Sequence, residues 1–356
     1  MLKRILILTL SILFLTGCNG SKKNYEEIVF SSWGSITEVK VLKKIISDFE
    51  LENPDIKVHF MHIPQNYFQK IHLLFASNTA PDVLFINNLY LPIYASNLLD
   101  LSNEFDRKTY YPQAIENLSY KNKVLAIPRD ISSLVLYVNT DIIKPPKNWE
   151  IETLLKISKK ITTKEVFALG HEEELYWLQP YLAYFDEVFD ENFDKEKSKG
   201  IGFYKELRDK HKVMPTKSQV GSKTHAQLFL DKKIAMYLSG RWMYPKILEK
   251  ANFNWEVLPF PVGKSYQPCD SSGWAINKNT KHKEASLKFV NYLTSEKSSE
   301  YFTKTELIVP AQVKVAQKLN NDMHNEKVFL EIIETSKNTP VNKDYKKLSD
   351  KFNSEF

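Results

Sequence analysis

The stretch that decides the fold runs from Glu27-Ile28-Val29-Phe30-Ser31, through Trp33-Gly34 and Ser35-Ile36-Thr37-Glu38, to Val83-Leu84-Phe85-Ile86. Its first five residues read as a short apolar strand. Ser35 and Glu38 have the S-x-x-E spacing of a capping box, which satisfies two backbone donors at a helix start. Val39, Leu42, Ile45, Ile46 and Phe49 follow at helical spacing, and Asn53-Pro54 stops the run. Residues 56–60 alternate as a strand, 67–76 read as helix, and 83–86 form a fully apolar strand behind Ala80-Pro81-Asp82. Strand, helix, strand, helix, strand implies right-handed βαβ units and a largely parallel sheet. Working outward, a second sheet begins at 134–138 and Pro145-Pro146 punctuates the chain. Residues 151–248 are mostly helical and rich in aromatic residues, with no internal repeat and no low-complexity tract.

With 356 residues, 43% apolar and 26% charged, the chain has the size of two domains, or three, with ordinary soluble cores. That excludes a disordered chain, a collagen, a long coiled coil and a multi-span membrane protein. Ten glycines are few for a phosphate-cradling protein. The net charge of +6 is interleaved rather than clustered, as in Lys195-Glu196-Lys197, so no nucleic-acid partner is expected.

The N-terminus carries its own signal. Lys3 and Arg4 precede an apolar run over 5–15, too short for a membrane span of about 20 residues and right for a secretory leader. Leu15-Thr16-Gly17-Cys18 resembles the lipobox of bacterial lipoproteins. The reading is a signal peptide over 1–17, lipidation of Cys18, and a polar tether over 18–26. The chain has two cysteines, so lipidation of Cys18 leaves Cys269 without a disulfide partner in the chain, as a packed thiol.

Eight stretches in order resemble the extracellular solute-binding proteins of bacterial ABC importers, in the sugar-binding group that includes maltose-binding proteins. They are Phe49-Glu50-Leu51-Glu52-Asn53-Pro54, Ala76-Ser77-Asn78-Thr79-Ala80-Pro81-Asp82-Val83, Val124-Leu125-Ala126-Ile127-Pro128-Arg129-Asp130 and Tyr137-Val138-Asn139. Pro145-Pro146-Lys147-Asn148-Trp149, Ala235-Met236-Tyr237-Leu238-Ser239-Gly240-Arg241-Trp242, Ser272-Gly273-Trp274-Ala275-Ile276 and Leu307-Ile308-Val309-Pro310-Ala311 complete them. The resemblance implies a two-lobed α/β clamp, each lobe a mainly parallel sheet flanked by helices. It implies three hinge crossings, near Ile131, Ser272 and Thr305. The first lobe would hold 27–131 and 273–305, the second 132–272 and 306–356. Relatives usually continue with a further amphipathic helix after the region matching 352–356, where this chain stops.

Open parallel sheets bind ligands beyond the carboxyl ends of their strands. Trp33 follows the first strand and Asn87-Asn88 the third. Sugars present C–H patches that stack on aromatic faces, and hydroxyls that need Asp, Asn and Arg. The resemblance marks Trp242 as the foremost stacking residue, with Trp274, Trp33 and Trp177 next and Gly273 beside Trp274. Trp149 and Trp255 are expected in cores. Asp130, Arg241, Asn87 and Asn88 are the expected hydroxyl partners. Asp82 is either another partner or the brace of a turn, and Tyr345 with Asp344 matches a region that often supplies a late aromatic contact.

Other chemistries fit less well. Gly263-Lys264-Ser265 ends like a P-loop, but Leu258 stands where its first glycine belongs. His59 and His62 sit three apart in or beside a strand and so point to opposite faces. No metal and no cofactor are expected. The expectation is a lipid-anchored monomeric receptor, not an enzyme, that captures a sugar or oligosaccharide outside the membrane and delivers it to ABC permease subunits. A polyol-phosphate receptor and a secreted glycoside hydrolase are the alternatives.

Overall fold

The computed structural model describes residues 25–146, 149–188, 190, 192–263, 266–319, 323–339 and 343–355. The leader, Cys18, the tether up to residue 24, Lys147-Asn148 and Lys264-Ser265 lie outside the described residues.

The N-terminal alternation folds as its spacing dictates. Strand β1 (Glu26–Ser32), the helix Ile36–Glu52, β2 (Ile56–His62), the helix Tyr67–Ala76 and β3 (Val83–Asn87) follow in order. The capping box forms: the Glu38 amide donates to Ser35 Oγ at 3.3 Å, and the Ser35 amide donates to Glu38 Oε2 at 3.0 Å. Leu42, Ile45, Ile46 and Phe49 are the buried face of that helix. β1 lies between β2 and β3, parallel to both.

After a small hairpin, β4 (Ser119–Tyr120) with β5 (Lys123–Val124), come β6 (Ile127–Ser132), β7 (Val135–Asn139), β8 (Phe167–Gly170), β9 (Ile234–Ser239), β10 (Trp255–Pro259), β11 (Pro268–Ile276) and β12 (Lys337–Asn338). The first sheet has the order β12-β11-β3-β1-β2, with β6 also on β11. The second has the order β10-β7-β9-β8. One face of the second sheet, with Leu136, Val138, Met236 and Leu238, has an apolar cluster of its own, while Val135, Tyr137, Tyr237 and Val257 on the other face join the cluster of the first sheet, giving two lobes of mixed α/β structure.

The first sheet is mainly parallel, through β1-β2, β1-β3 and β11-β12, whereas the second, expected to be parallel as well, is mainly antiparallel. In the first, β11 runs antiparallel to both β3 and β6. In the second, only β8 and β9 are parallel, while β10-β7 and β7-β9 are antiparallel. β7 arrives directly from the first sheet through Ser133 and Leu134, without a crossover helix. The rule that makes βαβ neighbours parallel therefore does not act on it.

The lobe boundaries also shift. Residues 268–272, expected in the second lobe, pair within the first sheet along with the rest of β11. Past Thr305 the chain stays on the first lobe: the Ala311 amide donates to Arg129 O at 3.0 Å, and Gln312 Nε2 donates to Thr294 O at 2.8 Å. Contacts with the second sheet begin at His324 and Asn325, which bond the backbone of β10. The helix Tyr345–Glu355 then buries Tyr345 and Phe352 in the second lobe. Trp255 is buried and Trp149 half-buried, its Nε1 donating to Pro259 O at 2.9 Å. No described helix is long and apolar enough to cross a membrane.

Candidate functional site

Between the lobes lies a cleft of about 400 Å³, bordered by the carboxyl ends of β1 and β3 on one side and by the segments that follow β8 and β9 on the other. Trp33, directly after β1, is 46% exposed and lines it, its ring 5.8 Å from Phe85. From the other lobe comes Trp242, 37% exposed, on the short turn after β9. Its indole lies over its own backbone: a Cβ at Gly240 would fall within 2.0–2.5 Å of the ring. Glycine is therefore required there for close approach rather than for an unusual φ. Trp177 and Tyr176 support the indole with centroids at 6.0 and 6.3 Å. Trp177 itself is mostly buried, so its part in the cleft is chiefly to hold Trp242.

The polar residues lie deeper. Asn87 lines the cleft, with its Oδ1 accepting from the Tyr90 amide at 3.1 Å. Asn88 is buried and braces β11: its Nδ2 donates to Asp270 Oδ1 at 2.8 Å, and its Oδ1 accepts from the Ser271 amide at 3.2 Å. Asp130 accepts from Arg129 Nε at 2.7 Å, from the Ser272 amide at 3.1 Å and from Ser272 Oγ at 2.6 Å. Arg129 also meets Glu38, with Nη1 3.4 Å from Oε1, and lies over the rings of Phe85 and Phe302. Burial alone would lower the Arg129 pKa, but the Asp130 and Glu38 carboxylates outweigh it and raise it. Asp270 is pushed up by burial against the opposing hydrogen bond from Asn88. Arg241 lines the cleft and pairs with Glu326. Both arginines of the cleft are thus committed to carboxylates.

Five expected site residues sit elsewhere. Trp274 is fully buried, edge-on to Phe30 at 5.2 Å and to Phe85 at 5.9 Å, in the core beneath the cleft. Gly273 marks the register slip between β11 and β6, and a Cβ there would lie 2.4 Å from Ile127 O. It allows two strands to approach. Asp82 precedes β3, at the opposite end of the sheet from the cleft. It accepts from the Val29 amide at 2.7 Å and from Thr280 Oγ1, so it braces a turn. Tyr345 is buried behind the cleft against Tyr90, with centroids at 6.0 Å, and Asp344 is exposed beside it.

The structure adds Glu38, Glu174, Tyr176, Ser132, Asp270 and residues 307–309 to the lining. Glu38 had a sequence signal: its capping box puts it in the first turn of the helix that follows Trp33. Among the described residues, no cluster of three or more His, Cys, Asp or Glu is placed to hold a metal ion.

This geometry is that of a receptor clamp, and the chain belongs to the bacterial extracellular solute-binding protein family, which matches residues 44–351. It is 25% identical over 344 residues to the maltodextrin-binding protein of Bacillus subtilis, covering 85% of this chain and 78% of that one. It is 29% identical over 241 residues to a maltooligosaccharide ABC transporter solute-binding lipoprotein of Streptococcus pneumoniae, covering 61% and 55%. An ABC substrate-binding protein of Listeria monocytogenes, solved with cycloalternan, superimposes with a TM-score of 0.83 at 24% identity, over 93% of this chain and 92% of that one.

Proposed function

We propose that the protein captures a neutral oligosaccharide of the maltodextrin type in the interlobe cleft and passes it to the permease of an ABC importer. The observation that carries this reading is the pair of half-exposed indoles, Trp33 from one lobe and Trp242 from the other, lining one cleft whose cations are already neutralised. Stacking faces suit the C–H patches of a glucan, and Asn87 with the rims of Asp130 and Arg241 suits its hydroxyls. The names of the maltodextrin-binding relatives point the same way.

The paired arginines argue against a polyol phosphate, which needs a free cation or a row of amide donors. Hydrolysis is disfavoured by the commitments of three of the four cleft carboxylates: Asp130 is held by Arg129 and Ser272, Asp270 by Asn88, and Glu38 by the Ser35 amide and Arg129, which leaves Glu174. A glycosidase needs two carboxyl groups free to act on the bond. Lipidation at Cys18 would keep the monomeric receptor on the outer face of the membrane, in keeping with the streptococcal relative's description as a lipoprotein.

Calorimetry with maltotriose, maltotetraose and glycerol 3-phosphate tests the assignment, with chromatography of the recovered sugar. Saturable binding of the oligosaccharides, recovered intact, is expected. Binding of glycerol 3-phosphate alone, or release of glucose, would overturn it.

A further inference from the structure

Arg241 and Glu326 form the most deeply buried ion pair among the described residues, at 1% and 4% side-chain exposure. The guanidinium is held between the rings of Tyr244 and Phe329, with centroids at 5.1 and 5.0 Å. One of its nitrogens, Nη2, donates to Glu326. The other two, Nε and Nη1, have no hydrogen-bond partner in the protein, although the residue borders the cleft. Both atoms are closed to solvent, and buried donors without partners are costly.

Glu326 does not drift into this position. The segment around it is fastened to β10 by His324, whose Nδ1 lies 2.8 Å from Trp255 O and whose ring stacks on Trp255 at 3.9 Å. Asn325 Nδ2 donates to Val257 O at 2.9 Å. The carboxylate is therefore delivered to Arg241 by a strap that crosses the edge strand of the second sheet. Trp242, the stacking residue, is the next residue in the chain.

We propose that Glu326 sets the charge preference of the cleft. By neutralising Arg241 it turns a buried cation into a donor of two N–H groups for sugar hydroxyls, and so makes the site refuse anions. Glu326 is a positioning and specificity-determining residue that need not touch the ligand. The proposal rests on the neutral-oligosaccharide reading above. A buried arginine without its carboxylate is an uncompensated charge, and an anion is the ligand that would compensate it.

The test compares wild type with Glu326→Gln, which keeps an oxygen acceptor for Nη2 and removes only the charge. Maltotriose and glycerol 3-phosphate are the probes, each titrated at low and at high salt. Wild type is expected to bind maltotriose and to ignore the phosphate. Glu326→Gln is expected to bind glycerol 3-phosphate at least tenfold more tightly than wild type, with the gain larger at low salt because the approach of the charged ligand from solvent is screened. Unchanged preference in folded Glu326→Gln overturns the proposal.

Should Glu326→Gln fail to fold, the apolar pair Arg241→Met with Glu326→Leu decides, because replacing both members of a buried pair is tolerated better than breaking it. That double variant is expected to lose at least tenfold in maltotriose affinity and to gain no phosphate binding. Retention of wild-type maltotriose affinity would place the pair outside the ligand site. If wild type itself binds no neutral oligosaccharide, the underlying functional reading fails instead.

Discussion

The indole of Trp242 meets that of Trp177 edge-on, with centroids 6.0 Å apart and planes at 68°, so that one ring is fixed while its face stays open to the cleft. An aromatic face held by a second aromatic loses little freedom on binding, which is where rigid aromatic contacts gain their advantage.

If Trp242 stacks on the sugar, truncating it to Ala removes both the burial and the aromatic contact. Together these are worth about 2–4 kcal/mol, or about 30- to 1,000-fold in dissociation constant. Trp242→Phe should recover part of the loss. Titration calorimetry reads both, with melting temperatures close to that of wild type.

Trp274→Ala should behave in the opposite way. The ring is fully buried between Phe30 and Phe85, and emptying such a site costs about 3–5 kcal/mol. Denaturant melts should show that loss, while the folded fraction keeps sugar affinity within a few-fold of wild type.

Acid should weaken the second lobe through two buried histidines. Burial pushes His171 down to about 3 and His225 down to about 4 from an ordinary value of 6.5. Both are neutral in the fold, so as pH falls below 6.5 the unfolded chain takes up protons that the folded chain refuses. Stability is full above about pH 6.5 and falls progressively towards pH 3, by about 3–5 kcal/mol for His171 alone. Melting temperature against pH should trace this decline, and His225→Gln should make it shallower.

If Cys18 carries lipid, Cys18→Ala should yield either an unprocessed precursor of higher mass or a lipid-free product that leaves the detergent phase. Identical partitioning and identical mass processing in variant and wild type would refute the anchor.

Much of the first lobe was legible because its residues act locally. The capping box at Ser35 and Glu38 and the stripe from Leu42 to Phe49 specify a helix without help from distant chain. Trp33 and Asn87 were legible for the related reason that strand ends are ligand-facing in such sheets. The same rule, applied strictly, would have removed Asp82, which precedes its strand rather than following it. Trp274 could not be placed this way: every residue of β11 is buried, so no alternation marks which face meets the cleft. Glu326 carried no signal at all, since its partner is 85 residues away in sequence and only the folded strap brings them together.

The place of β11 has a consequence for how the chain is made. Asn88 closes onto Asp270, 182 residues downstream, and β3 and β6 both find their antiparallel neighbour in that same late strand. On a growing chain the first sheet cannot be completed until residues beyond 276 have emerged. Loop closure over such a distance makes that step slow as well as late. The leader-like residues 1–17 therefore precede a polypeptide whose amino-terminal lobe remains unfinished during most of its synthesis. That is the condition in which a secretion channel can still thread it.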